Sequence, residues 1–165
     1  MFRYEPQGLS FFRDAPLRLE ERVRLRTTRA RAFEVLADAG SWPRWFPLMH
    51  RARWLTDAHA GEGAEREVSI HGLGTFRERF LAWEPGARFA VNIYEASSPL
   101  AKAVSEDYVL VDDGPDHVFL EWTFAARPSL VGRALEPVLR LMMRDIFRRA
   151  GRRLQRYLDE GPRGA

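Results

Sequence analysis

The sequence contains no cysteine. This excludes disulfides, thiol nucleophiles and thiolate metal sites, and it fits a reducing compartment. Lysine is almost absent, because every basic residue except Lys102 is arginine, yet the net charge is only +3. So small an excess is not the footprint of a general nucleic-acid binder, and no nucleic-acid partner is expected. No apolar run approaches the ~18 residues needed to span a bilayer. The stretch Met1–Gly8 lacks the apolar core and small-residue cleavage site of a secretion signal, so the expected location is cytoplasmic. His50, His59, His71 and His117 show no ligand spacing, and no metal is expected. A Gly-x-Ser-x-Gly elbow, a P-loop and a dinucleotide fingerprint are also missing. Gly72-Leu73-Gly74 has no third glycine and leads into a strand, so no cofactor is expected.

What is present is patterning along 165 residues, a length that suits one domain. Residues 1–16 carry Phe2, Tyr4, Leu9, Phe11 and Phe12 without a period. They read either as an arm whose aromatics lie on the domain or as a disordered lead. From Leu17 the apolar residues Leu17, Leu19, Val23 and Leu25 alternate with charged ones, with Glu21 the single break, which predicts a strand over 17–26. Thr27-Thr28 then offers a helix cap, and Ala30, Phe33, Leu36 and Ala37 follow at helical spacing up to Gly40. A second short helix is expected around Pro43, stopped by Pro47.

Six further strand-like segments follow, at 49–55, 65–71, 75–83, 88–94, 103–111 and 117–125. Turns such as Gly72-Leu73-Gly74, Glu84-Pro85-Gly86 and Asp112-Asp113-Gly114-Pro115 separate several of them and imply an antiparallel meander. Residues 132–160 predict one long helix, with Leu135, Val138, Leu139, Met142, Met143, Ile146, Phe147, Ala150, Leu154, Tyr157 and Leu158 forming one apolar stripe. The expected class is therefore α+β. A curved seven-stranded antiparallel sheet, with two short helices after its first strand, wraps the long C-terminal helix. Such a sheet cannot fill its own concave face, and the space between helix and sheet is a ready ligand cavity. The division expected is an arm at 1–16, the ligand-binding domain at 17–160 and a tail at 161–165.

This order, together with Asp38, Trp42 and Trp45-Phe46-Pro47, resembles the helix-grip superfamily, which joins START lipid-transfer domains, birch-pollen-allergen-like proteins and plant abscisic acid receptors. Within it the chain is most similar to the bacterial polyketide cyclase/dehydrase-like (SRPBCC) family over about residues 17–160. Arg66-Glu67-Val68-Ser69-Ile70, leading through Gly72-Leu73-Gly74 to Arg77-Glu78-Arg79-Phe80, and the later Leu120-Glu121 resemble stretches of the hormone receptors. The resemblance implies that Glu78 and Glu121 point into the cavity and that Gly72, Leu73 and Gly74 form a gate loop. The receptors' cavity lysine has no counterpart; its segment offers Arg51 and Arg53 instead.

Alternation independently puts Phe76, Glu78 and Phe80 on one strand face. A carboxylate between two phenylalanines must find a cation or lose its charge, and Arg66 is the candidate partner. Glu121 lies where both parities are apolar, so either it or Trp122 faces inward. Tyr108 shares a face with Glu106 and Leu110, as a hydrogen-bond donor or as a core anchor. The expected ligand-binding set is Arg66, Val68, Ile70, Phe76, Glu78, Phe80, Phe89, Tyr108, Glu121, Met142, Met143, Ile146 and Phe147. Methionines suit an adaptable wall or ordinary core packing alike.

These features predict binding, transport or sensing of a hydrophobic small molecule such as a lipid, quinone, terpenoid or polyketide. An alternative is a cyclase or dehydratase in which Glu78, Glu121 or Tyr108 moves protons, without metal or nucleotide cofactor. A third reading is an interaction protein acting through the arginines of the last helix. Because the sheet is expected to consume the helix's apolar stripe, membrane binding is not predicted. The chain is expected to be a monomer or homodimer.

Overall fold

A computed structural model describes residues 1–161, and the expected tail beyond Gly161 lies outside them. The elements run β1 (Phe2–Arg3), α1 (Phe11–Asp14), β2 (Leu17–Leu25), α2 (Arg29–Ala37), α3 (Trp42–Trp45), β3 (Met49–Trp54), β4 (Glu65–Ile70), β5 (Gly74–Glu84), β6 (Arg88–Ala96), β7 (Ala101–Asp112), β8 (Val118–Pro128) and α4 (Leu130–Glu160). The sheet order is β2-β8-β7-β6-β5-β4-β3, all antiparallel, and the short β1 joins the end of β6. This is the expected curved sheet gripping a C-terminal helix, with β1 as an eighth strand.

Local chemistry explains the boundaries. Thr28 accepts a hydrogen bond from the Arg31 amide at 3.2 Å and starts α2. Pro43 sits in the first turn of α3, where its missing N–H costs nothing. Ser129 caps α4 through the Gly132 amide at 3.1 Å, so the helix begins at Leu130, two residues before the expected start.

Bulges give the sheet its curvature. Register shifts occur in the β3–β4, β5–β6 and β7–β8 pairings, and each extra residue bends its strand. In β6 the extra residue is Tyr94, which lets Ile93 and Ala96 both face inward while Glu95 faces out to Arg77. In β5 the extra residue is Leu81, so Phe80 and Trp83 remain on the inner face.

Residues 1–16 are anchored on the sheet by three buried aromatics, Tyr4, Phe11 and Phe12, while Phe2 and Leu9 stay exposed. The Tyr4 amide bonds to Tyr94 O at 2.9 Å, and the Tyr4 hydroxyl donates to Ser98 O at 2.7 Å. Phe11 and Phe12 rest on the outer face over Ala82, Ala90, Ala103 and Ala125. A run of small side chains thus makes a seat for two aromatic rings.

Helix α4 approaches the sheet at two glycines. A Cβ at Gly132 would lie 1.9 Å from the Leu100 carbonyl oxygen, and one at Gly151 would lie 2.9 Å from a Val23 methyl. Backbone cannot give way as a flexible side chain can. Gly132→Ala should therefore destabilise the protein by about 1–3 kcal/mol, despite alanine's better helix propensity. Chemical denaturation checks this; a stabilised variant would mean that the helix start is not clamped against the 97–100 loop.

Candidate ligand site

One end of the grip is filled and the other is open. At the filled end Phe33, Trp54, Phe80, Trp83 and Phe89 pack ring against ring, with centroids 5.0–6.3 Å apart. Toward the other end of the same strands the side chains stop short of α4. Leu19 on β2, Phe76 on β5, Ile93 on β6, Val104 on β7, Ala126 on β8 and Met143 on α4 surround a cavity with a free volume of about 140 Å³. Among the lining residues, Leu73, Ser98, Leu100, Leu139 and the Glu136–Arg140 ion pair of 2.9 Å are half-exposed and form its mouth.

A charged cluster marks the boundary between the two halves. Arg66 on β4, 1% exposed, donates from Nε and Nη2 to Glu78 Oε2 of β5, both at 2.8 Å. Its guanidinium lies 4.6 Å from the Trp42 ring centre and 5.4 Å from that of Phe80, a favourable arrangement for a cation cut off from water. Arg66 Nη1 is the one buried side-chain polar atom without a hydrogen-bond partner among the described residues. On β7, Glu106 Oε2 accepts from the Tyr108 hydroxyl and, at 3.1 Å, from Trp122 Nε1. Glu78, Glu106 and Tyr108 all line the cavity.

Burial first, and then the negative charge of Glu78, push the Glu106 carboxyl up to about 7, against the pull of its two hydrogen bonds and of Arg66. Burial and the neighbouring Glu106 raise Tyr108 well above its ordinary 10, so its hydroxyl stays a donor at neutral pH. The site therefore holds one ion pair, one carboxyl that changes charge near neutrality and one fixed donor.

Of the expected residues, Val68, Ile70, Leu73, Phe76, Glu78, Tyr108, Met142, Met143, Ile146 and Phe147 line this cavity. Arg66 stands beside it, holding Glu78. Phe80 and Phe89 lie in the filled half, where Phe89 stacks on Tyr108 at 4.5 Å. Gly72 and Gly74 shape the β4–β5 turn through positive φ values of 79° and 109°, and only Leu73 between them reaches the cavity.

Glu121 must be corrected. The β2–β8 register sets it opposite Arg22 on the outer face, where the two form a 3.2 Å ion pair in water. Trp122 takes the inward position because its indole N–H finds Glu106 there. Arg51 and Arg53 also stay outside, Arg53 bonding to Glu67 at 2.9 Å, so the buried cation comes from β4. The residue that sequence reasoning passed over is Glu106. Its signal was legible, since it shares its strand face with Tyr108 and Leu110.

The Glu106 carboxyl supplies a prediction. Between its ordinary 4.5 and about 7, the folded protein keeps a proton that the unfolded chain has released. Its contribution to stability is therefore complete below pH 4.5 and lost as pH rises through 7, a change of about 3 kcal/mol. In Glu106→Gln this part of the pH dependence should vanish, making the variant relatively more stable at pH 8 than at pH 5. Urea unfolding of both proteins at the two pH values checks it; parallel pH profiles would refute it.

Comparison with known proteins agrees with the geometry. An uncharacterized protein of Mycobacterium tuberculosis, Rv2574, is 35% identical over 159 residues, covering 96% of this chain and 95% of that one. A START superfamily protein from Mycobacterium smegmatis superposes with a TM-score of 0.73 at 12% identity, over 87% of this chain and 97% of that one. The ZhuI aromatase/cyclase from a Streptomyces species superposes with a TM-score of 0.70 at 15% identity, over 87% and 93%. At such identities the two structures speak for the fold alone. The sequence model of one family matches residues 16–159, and on that match the chain belongs to the polyketide cyclase / dehydrase and lipid transport family.

Proposed function

We propose that the protein binds and carries a hydrophobic small molecule of lipid, quinone, terpenoid or polyketide type, held between the sheet and α4. The observation that carries this reading is a cavity with largely apolar walls that presents Glu78, Glu106 and Tyr108 where it meets the filled half. An apolar body would enter first contact with Phe76, Ile93, Val104 and Met143, and one polar group of the ligand would meet the Glu106–Tyr108 pair. A free volume of about 140 Å³ matches a benzene-sized guest. A larger ligand requires the wall to give way, and Met142 and Met143, with their flexible thioethers, are the side chains best able to do so. Leu73 in its glycine-flanked turn would then act as the gate residue at the mouth.

The enzymatic reading has one specific observation in its favour: Glu106, which titrates to about 7 inside the cavity, is suited to proton transfer near neutrality. Glu121 cannot serve, being outside. Glu78 is committed to Arg66, and Tyr108 keeps its proton, so a single titrating carboxyl remains. Carriage needs no more than shape and one anchor, which favours it.

Native mass spectrometry of the protein purified from its own host should reveal a co-purifying apolar molecule. Val104→Phe, which fills the open half, should reduce that occupancy at least tenfold while the fold persists by circular dichroism. Occupancy unchanged in Val104→Phe would place the ligand elsewhere and sink the proposal. If a polyketide substrate is turned over and Glu106→Gln lowers the rate about 10²–10⁴-fold with binding intact, the enzymatic reading replaces it.

A further inference from the structure

The long helix does not use its apolar stripe as its sequence predicts. Leu135 and Val138, expected against the sheet, are exposed, and so are Leu130, Val131 and Leu141. Leu130 is 81% exposed, Val138 67% and Leu141 68%, far beyond what a helix buried on one face requires. The sheet-facing side of the same turns is Gly132, Glu136, Leu139 and Met143, which border the cavity. Over its first three turns α4 is thus apolar on the side turned away from the protein, directly above the cavity mouth.

Further along the same outward line the chemistry changes abruptly. Residues 144–156 carry Arg144, Arg148, Arg149, Arg152, Arg153 and Arg156 against the single carboxylate Asp145, which pairs with Arg149. Leu48, 52% exposed, stands beside this arginine run and borders one groove with Met142, Arg149, Arg152, Arg153 and Arg156. Its φ of 64° is rare for a branched side chain.

We propose that this face of α4 docks on an anionic lipid bilayer. The apolar stretch 130–141, about 17 Å long, would sink into the boundary between headgroups and acyl chains, with the arginines of the next four turns at the phosphates. Guanidinium groups bind phosphate oxygens in pairs, and their long stems let the charge stay at the interface while carbon is buried. A second copy of this chain fits less well, because pairing two α4 helices through residues 130–141 would cover the leucines but leave both arginine runs without an anionic surface. The bilayer fits for a further reason, which rests on the proposed ligand: the cavity mouth would open where an apolar molecule is dissolved. The docking itself is measured without any ligand, so it stands or falls separately.

The test is sedimentation of the full chain with vesicles of phosphatidylglycerol and with vesicles of phosphatidylcholine. The protein should pellet with the anionic vesicles at low salt and be released as salt rises. Val138→Glu/Leu141→Glu should lower partitioning at least tenfold, and Arg148→Gln/Arg152→Gln about 25-fold, since each arginine near a charged surface contributes about a factor of five. All four positions are exposed, and unchanged circular dichroism verifies that the variants are folded. Three outcomes overturn the proposal: no sedimentation with anionic vesicles, equal sedimentation with neutral ones, or binding indifferent to the Val138/Leu141 pair. A dimer seen by light scattering that Leu141→Glu dissolves, without vesicle binding, would assign the ridge to a second copy instead.

Discussion

A strongly bent antiparallel sheet leaves a concave apolar surface wider than one helix can cover, and the rest of the molecule follows from how that surface is closed. Three strand pairings carry bulges, and α4 lies across the trough they create. Where α2 and α3 come down on the sheet, large rings complete the packing, and Trp42, Trp45, Phe80 and Phe89 are almost wholly buried. At the other end only α4 lies over the sheet, and the cavity is the space left between them.

At this apolar space the protein places Arg66, Glu78 and Glu106, whose burial is made tolerable by two different devices. Arg66 and Glu78 neutralise one another at 2.8 Å on adjacent strands, with aromatic faces around the cation. Glu106 has two donors but no cation of its own, so it relieves the cost of burial by holding its proton. On the outer face the same residue types are commonplace and cheap: Arg53, Arg77 and Arg79 answer Glu67, Glu95 and Glu65 across the strands, with the guanidinium groups in contact with water. Position relative to the sheet, not residue type, separates a carboxylate that lines the cavity from one that is paired on the outer face.

The two proposals share this geometry. A carrier needs an apolar chamber with one polar anchor and a place to exchange cargo. The chamber ends at the Glu106–Tyr108 pair, and its mouth opens under the one stretch of α4 whose outward side is apolar. A helix that lines a cavity with one side and offers leucine and valine on the other is equally well suited to serve both.

Much of this was legible in the chain. The order of strands and helices, the stripe of α4 from Met142 to Leu158, the pairing of Arg66 with Glu78 and the facing of Tyr108 all follow from period-two and period-3.6 patterns, which depend only on local backbone geometry. The arm was not legible: Phe11 and Phe12 have no period, and the alanines that seat them are scattered over β5, β6, β7 and β8. Nor could the parity of Glu121 and Trp122 be read in a strand apolar on both faces; the indole N–H meeting Glu106 across the β7–β8 pair decided it. The exposure of Leu135 and Val138 escaped for a similar reason. Periodicity establishes which side chains share a helix face, but only the position of the sheet determines how far along that face there is something to cover it.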